Sequence, residues 1–228
     1  MPRPGKSGRY HHGDLRAALI DTAVEVIGER GVRGFSLAEA SRRAGVAVSA
    51  PYAHFADRDD LLAAVTVRAF EKLHAALVPA LDQFTDPADR LAAMARGYVR
   101  FAATQRPLFE VLYEVGLDKT RYPEIKAAEQ PVNDAFLACV RALADGDEAL
   151  ADDLAIAFEA SARGHALLLL DEGASPGDEA IDLAAERAAR ATRALISSRR
   201  LLGQPRSRVK NEDREPGLKD LGTAEEGQ

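Results

Sequence analysis

The chain has no tryptophan, a single cysteine (Cys139) and no net positive charge. One cysteine can neither close an intrachain disulfide nor build a multi-cysteine zinc site, which points to a reducing, cytoplasmic setting. Apolar runs such as residues 166–170 reach at most six residues (135–140), far short of the roughly 20 residues a helix needs to cross a bilayer. The N-terminus is basic (Arg3, Lys6, Arg9), but no apolar stretch follows it, so it is not a signal peptide. Thirty basic against 36 acidic side chains leave a net charge of −6, so contact with nucleic acid would need local positive charge. No metal or cofactor is expected. His11 and His12 are adjacent and their rings point different ways, and the chain has no G-x-G-x-x-G, G-x-S-x-G, H-E-x-x-H or Walker loop.

What is present is a soluble-protein composition, 46% hydrophobic and 29% charged over 228 residues, with helical periodicity throughout. Leu15, Leu19, Thr22, Ala23, Val26 and Ile27 form one stripe ending at Gly31. Ser36 and Glu39 have the spacing of a capping box, Asp57 can cap a longer helix that Pro79 bends or ends, and Asp147 can open another. Pro107 and Pro176 suit first turns, and Pro131 predicts a kink or break. The expectation is an all-α fold of about nine helices. Residues 1–13 are expected to form a flexible basic arm that can reach phosphates or the minor groove. Residues 203–228, with six acidic and five basic side chains, are expected to be a disordered tail.

The segment 36–55, SLAEASRRAGVAVSAPYAHF, predicts two short helices around a tight turn at Gly45. Small Ala40 and Ala44 let them cross closely, as a helix-turn-helix requires. If Ser49 is the N-cap, Pro51 falls in the first turn and the second helix is short. Residues 10–69 resemble the DNA-binding domain of the TetR family of transcriptional regulators, above all in Tyr-x-His-Phe at 52–55 followed by Leu61 and Leu62. A second stretch, YVRFAATQRPLFEVLYE at 98–114, resembles the effector domain of the WHG subgroup, although Arg163-Gly164 stands where a His-Gly pair is common.

The resemblance implies a helix-turn-helix domain at 14–60 and a helical effector-binding and dimerisation domain at 61–202. It places Ser36, Arg43, Val48, Ser49, Ala50, Tyr52, Ala53, His54 and Arg58 at the DNA. Tyr52, His54 and Arg58 suit phosphates, Ser49 a base edge, and Val48, Ala50 and Ala53 thymine methyls. Phe101, Phe109, Tyr113, Phe136, Phe158, Arg163 and His165 are the expected effector-pocket residues. A homodimer interface is expected from Leu154, Phe158 and Ser161 on one helix and Ile181, Ala184, Ala188, Ala191 and Leu195 on the next. The resemblance implies a ligand-responsive DNA-binding regulator, expected to be a repressor that binds a pseudo-palindromic operator as a dimer and is released by a small molecule; the partners implied are operator DNA, a small-molecule effector and a second copy of the chain. The alternative is an all-α enzyme acting on a small apolar substrate through Glu110, Tyr113 or His165.

Overall fold

A computed structural model describes residues 15–171 and 176–202. The expectations for the basic arm, for His11 and His12 and for the tail from 203 lie outside them. Eight α-helices follow in order: α1 (Leu15–Arg30), α2 (Leu37–Ala44), α3 (Arg58–Leu77), α4 (Pro87–Thr104), α5 (Arg106–Glu114), α6 (Pro123–Ala144), α7 (Glu148–Leu170) and α8 (Asp178–Ser197). Short 3₁₀ turns lie at Val32–Gly34, Ala50–Ala53, Pro79–Gln83 and Arg199–Leu201, and the described residues contain no strand.

Local chemistry accounts for most boundaries. Ser36 accepts a hydrogen bond from the Glu39 N–H at 3.2 Å, Asp57 from Asp60 at 2.9 Å and Asp147 from Leu150 at 3.0 Å. The capping box at α2 is only half made, because the Glu39 carboxylate turns to Arg42 at 2.6 Å and Arg30 at 3.2 Å. Prolines open α4, α5 and α6 within their first turns, where a missing N–H costs nothing. Pro131 lies inside α6, which runs on past it without a break.

The first three helices enclose Leu19, Ile27, Ala40, Phe55 and Leu61. α3 is continuous across residues 60 and 61, so the expected domain boundary falls in its first turn. It runs from α1 to α4, α5 and α6. At its far end it crosses α4 so closely that a Cβ on Gly97 would sit 2.7 Å from Leu77 Cδ2 and 3.4 Å from the Ala76 carbonyl.

The central helix α4 lies along α8, which turns Ile181, Ala185, Ala188, Ala189 and Thr192 inward. Ion pairs flank the seam, Arg96–Glu186 at 2.5 Å, Arg100–Asp182 at 2.9 Å and Arg193–Asp89 at 2.9 Å. This corrects part of the expected interface: Leu154, Ile181 and Ala188 belong to the chain's own core. The small side chains on α8 serve its close approach to α4.

Candidate functional site

The segment between Gly45 and Asp57 is the first part of interest. Gly45 closes α2 with φ 70°, a left-handed position that glycine takes without Cβ strain, and its N–H bonds back to the last turn. The element expected to be a short helix is then a single 3₁₀ turn, Ala50–Ala53. Its bonds run Ala50 N–H to Ala47 O at 2.9 Å and His54 N–H to Pro51 O at 2.8 Å. Pro51 sits in the first turn of this element, where its missing N–H has no intrahelical partner to lose. Ser49 stands at the N-cap position, but its side chain makes no capping bond and its hydroxyl is exposed.

Pro51 and Phe55 point into the core and pin the turn, with the Arg16 guanidinium 5.4 Å from the Phe55 ring centre. Val48, Ser49, Tyr52, Ala53 and His54 face outward, and Val48 and Tyr52 are each 59% exposed. Ala50 is half-buried, and Ser36 is exposed at the start of α2.

The arginines around this surface are mostly engaged. Arg43 makes a paired contact with Glu29, both distances 2.5 Å. The same contact draws Glu29 below the usual carboxylate range. Arg58 is not the free phosphate clamp expected of it. Its guanidinium donates to the Val32 carbonyl at 2.7 Å and the Phe35 carbonyl at 3.1 Å and lies over the Phe35 ring, bracing the entry to α2.

The second feature is a cavity open to solvent and lined by α3 to α7, formed by two adjoining pockets of about 280 and 180 Å³ that share Phe70, Leu73, Tyr113, Glu129 and Glu159. Of the expected pocket residues, Tyr113, Phe136, Phe158 and Arg163 line it. Phe109 is buried behind the wall, 5.1 Å from Tyr113 between ring centres. Phe101 faces a separate, open groove of about 580 Å³ between α3 and α4, where Arg96 and Arg100 are already bound to carboxylates of α8. His165 is not at the cavity, since its Nδ1 meets the Ser161 carbonyl of its own helix at 2.7 Å.

Sequence reasoning missed Phe70, Tyr98, Lys119, Glu129 and Glu159. Tyr98 lies inside the recognised 98–114 stretch, which was the available signal. Its hydroxyl bonds that of Tyr113. Burial, followed by the influence of Tyr113, pushes the Tyr98 phenol far above its ordinary range, so it stays protonated. Lys119 and Glu129 meet at 2.5 Å only because the 115–122 segment folds over α6.

That segment joins the two features. Val115, Leu117 and Lys119 line the larger lobe. Two residues further on, Arg121 donates to the second oxygen of Asp57 at 2.6 Å, the carboxylate that caps α3 beside the exposed turn. The Asp60 N–H and Arg121 together hold the Asp57 carboxyl below its usual range, so cap and bridge are charged near neutral pH. Tyr122 is buried against Ala63 and Ile125 and anchors the segment.

A third feature is an unpartnered apolar face. Ile156, Leu167 and Leu168 on α7 and Leu183 on α8 are exposed, Leu168 by 71%. Ala160 is exposed between them, and a Cβ on Gly164 would meet nothing. Of the other residues expected at an interface, Ser161, Ala184, Ala191 and Leu195 are half-buried and Phe158 faces the cavity.

Comparison with known proteins bears on all three. Residues 19–65 match the profile described as bacterial regulatory proteins, tetR family, and residues 91–195 match that of a tetracyclin repressor-like C-terminal domain. The chain belongs to the TetR family. These are helix-turn-helix transcriptional regulators, and the helix-turn-helix and helical C-terminal parts expected from the sequence are those of the family. The HTH-type transcriptional regulator BetI of Rhizobium meliloti (strain 1021) is 33% identical over 90 residues, a segment covering 40% of this chain and 43% of BetI. A protein with unknown function from Rhodococcus sp. RHA1 is 32% identical, with 81% of this chain and 98% of that one covered and a TM-score of 0.61. AibR in complex with isovaleryl coenzyme A and operator DNA shares the fold at 18% identity, 76% and 95% coverage and a TM-score of 0.61.

Proposed function

We propose that this TetR-family protein is a DNA-binding transcriptional regulator that acts as a dimer and whose hold on its operator changes when a small molecule enters the cavity. The observation that carries the reading is the outward presentation of Val48, Ser49, Tyr52, Ala53 and His54 on a turn pinned by Pro51 and Phe55. Tyr52 and His54 contact phosphates and set register, Ser49 reads a base edge, and Val48, Ala50 and Ala53 meet thymine methyls. Ser36 presents the N-terminus of α2 to a phosphate. Arg43 reaches phosphate by exchanging its partner Glu29. Residues 14–60 form the DNA-reading unit, and 61–202 serve effector binding and dimerisation.

A reading surface of one 3₁₀ turn is too small to hold a duplex alone, which favours two copies on a two-fold operator. Ile156, Leu168 and Leu183 are apolar and exposed among the described residues, and a second copy covers them. AibR, with operator DNA and an acyl coenzyme A bound, supports a fold that takes both kinds of ligand. The enzyme reading gains nothing from the geometry. Glu110 pairs with Arg106 at 2.8 Å and His165 with its own backbone, and neither lines the cavity beside Tyr113.

Tyr52→Ala combined with His54→Ala should weaken binding to every duplex by roughly 30- to 1,000-fold, at about 1–2 kcal/mol for each of the two lost hydrogen bonds, with no change in Tm. Arg58→Ala should instead lower Tm, because two backbone carbonyls lose a charged donor. Fluorescence anisotropy with a selected duplex, alongside thermal melts, checks both. Full affinity in the Tyr52/His54 variant would remove this surface from the DNA.

A further inference from the structure

The charges at the cavity are arranged in closed pairs. Lys119 meets Glu129 at 2.5 Å and Arg163 meets Glu159 at 2.6 Å, so the four ionised groups on the wall cancel two by two. A carboxylate entering would face Glu129 and Glu159, while an ammonium would face Lys119 and Arg163. The cations and carboxylates that line the site are already paired with each other and partly solvated, so they offer no strong anchor to an ion of either sign.

The smaller lobe is aromatic and aliphatic. The Phe136 and Phe158 rings lie 5.0 Å apart at 35°, with Phe70, Leu77 and Met94 completing the wall. At one end the Tyr98 and Tyr113 hydroxyls bond to each other, and the Arg163 guanidinium lies 4.0 Å from the Tyr113 ring centre. Two hydroxyls joined by one hydrogen bond retain one O–H to donate. The buried Arg163 Nε–H also has no acceptor among the described residues. The polar end therefore offers donors and asks for an acceptor.

We infer that the cavity binds a neutral aromatic molecule carrying one hydroxyl or carbonyl group, its ring against the packed Phe136–Phe158 pair and Phe70 and its oxygen at the Tyr98–Tyr113 pair, and that it discriminates against organic acids and amines. The inference rests on the cavity being the effector site proposed above. Rings of this kind gain from stacking and burial, and the oxygen fixes which end enters first.

The test uses the full chain and four probes on one framework: biphenyl-4-ol, biphenyl, biphenyl-4-carboxylate and biphenyl-4-ylmethanamine. Calorimetric titration should give biphenyl-4-ol an affinity at least about tenfold above either ionised probe, and several-fold above biphenyl. Tyr98→Phe should make biphenyl-4-ol and biphenyl bind alike, and Phe136→Trp, which fills the smaller lobe, should abolish binding of both. A carboxylate or amine that binds as tightly as the alcohol overturns the inference, and so does absence of binding by all four. Operator affinity, measured in the same samples, separates this inference from the regulatory reading. Tight biphenyl-4-ol binding with unchanged operator affinity supports the ligand class and counts against the regulatory role. Operator binding by a chain that takes none of the probes overturns the ligand class alone.

Discussion

Leu168→Glu is expected to leave each chain folded and to weaken operator binding by about 100- to 10,000-fold, the range in which linked binding sites exceed single ones. Leu168 is 71% exposed, so a carboxylate there costs the isolated chain little. In a dimer it would face the apolar surface of the second copy and leave a charge buried without a partner, which is strongly destabilising. Ile156→Arg should act in the same way from the other end of α7. Ala188→Arg should behave differently, since Ala188 is fully buried against α4 and an arginine there disrupts the fold itself. Equilibrium sedimentation with circular dichroism tells the two classes apart. Dimers of Leu168→Glu persisting at low micromolar concentration would move the interface to another face.

The second large effect concerns communication between the cavity and the DNA surface. Arg121→Ala should leave both operator affinity and biphenyl-4-ol affinity near their normal values, yet remove most of the influence of one on the other. Coupling between sites amounts to about 5- to 150-fold in affinity, and the variant should bring that factor towards one. Lys119 on the cavity wall and Arg121 on the Asp57 cap are two residues apart on one short segment. A ligand that shifts the segment must therefore either carry Asp57 with it or break the 2.6 Å bridge. Linkage demands reciprocity, so the loss must also appear when DNA is the titrant and the probe is the reporter. Undiminished coupling in Arg121→Ala would send the path elsewhere, for example along α3 itself.

How much of this was legible beforehand depended on whether the determining interactions were local. Ser36, Asp57 and Asp147 announce helix starts because a side chain three residues from its N–H partner needs no tertiary context. Gly45, Pro107 and the Tyr52–His54 turn are local in the same sense. Pro51 marked a short reading element, and that element is a single 3₁₀ turn. The faces of α7 and α8 were not legible. Residues 154–158 put leucine, isoleucine and phenylalanine on three sides of α7, and only packing decides that Leu154 goes inward, Phe158 to the cavity and Ile156 outward. Small residues on α8 favour any close helix contact, and α4 of the same chain takes them. Arg58 resembled a phosphate ligand by position, but its target carbonyls lie 23 and 26 residues away.

The central claim, that the turn at Ala50–Ala53 reads DNA in two copies, is tested most directly by selecting duplexes from a random pool with the full-length protein. The account predicts enriched, pseudo-palindromic sites whose half-sites are centred about 10 base pairs, or a multiple of that, apart. It also predicts that Ser49→Ala changes which sequence is enriched. No enrichment over random sequence, or the same winning site with equal affinity from a Tyr52→Ala and His54→Ala variant, would contradict it.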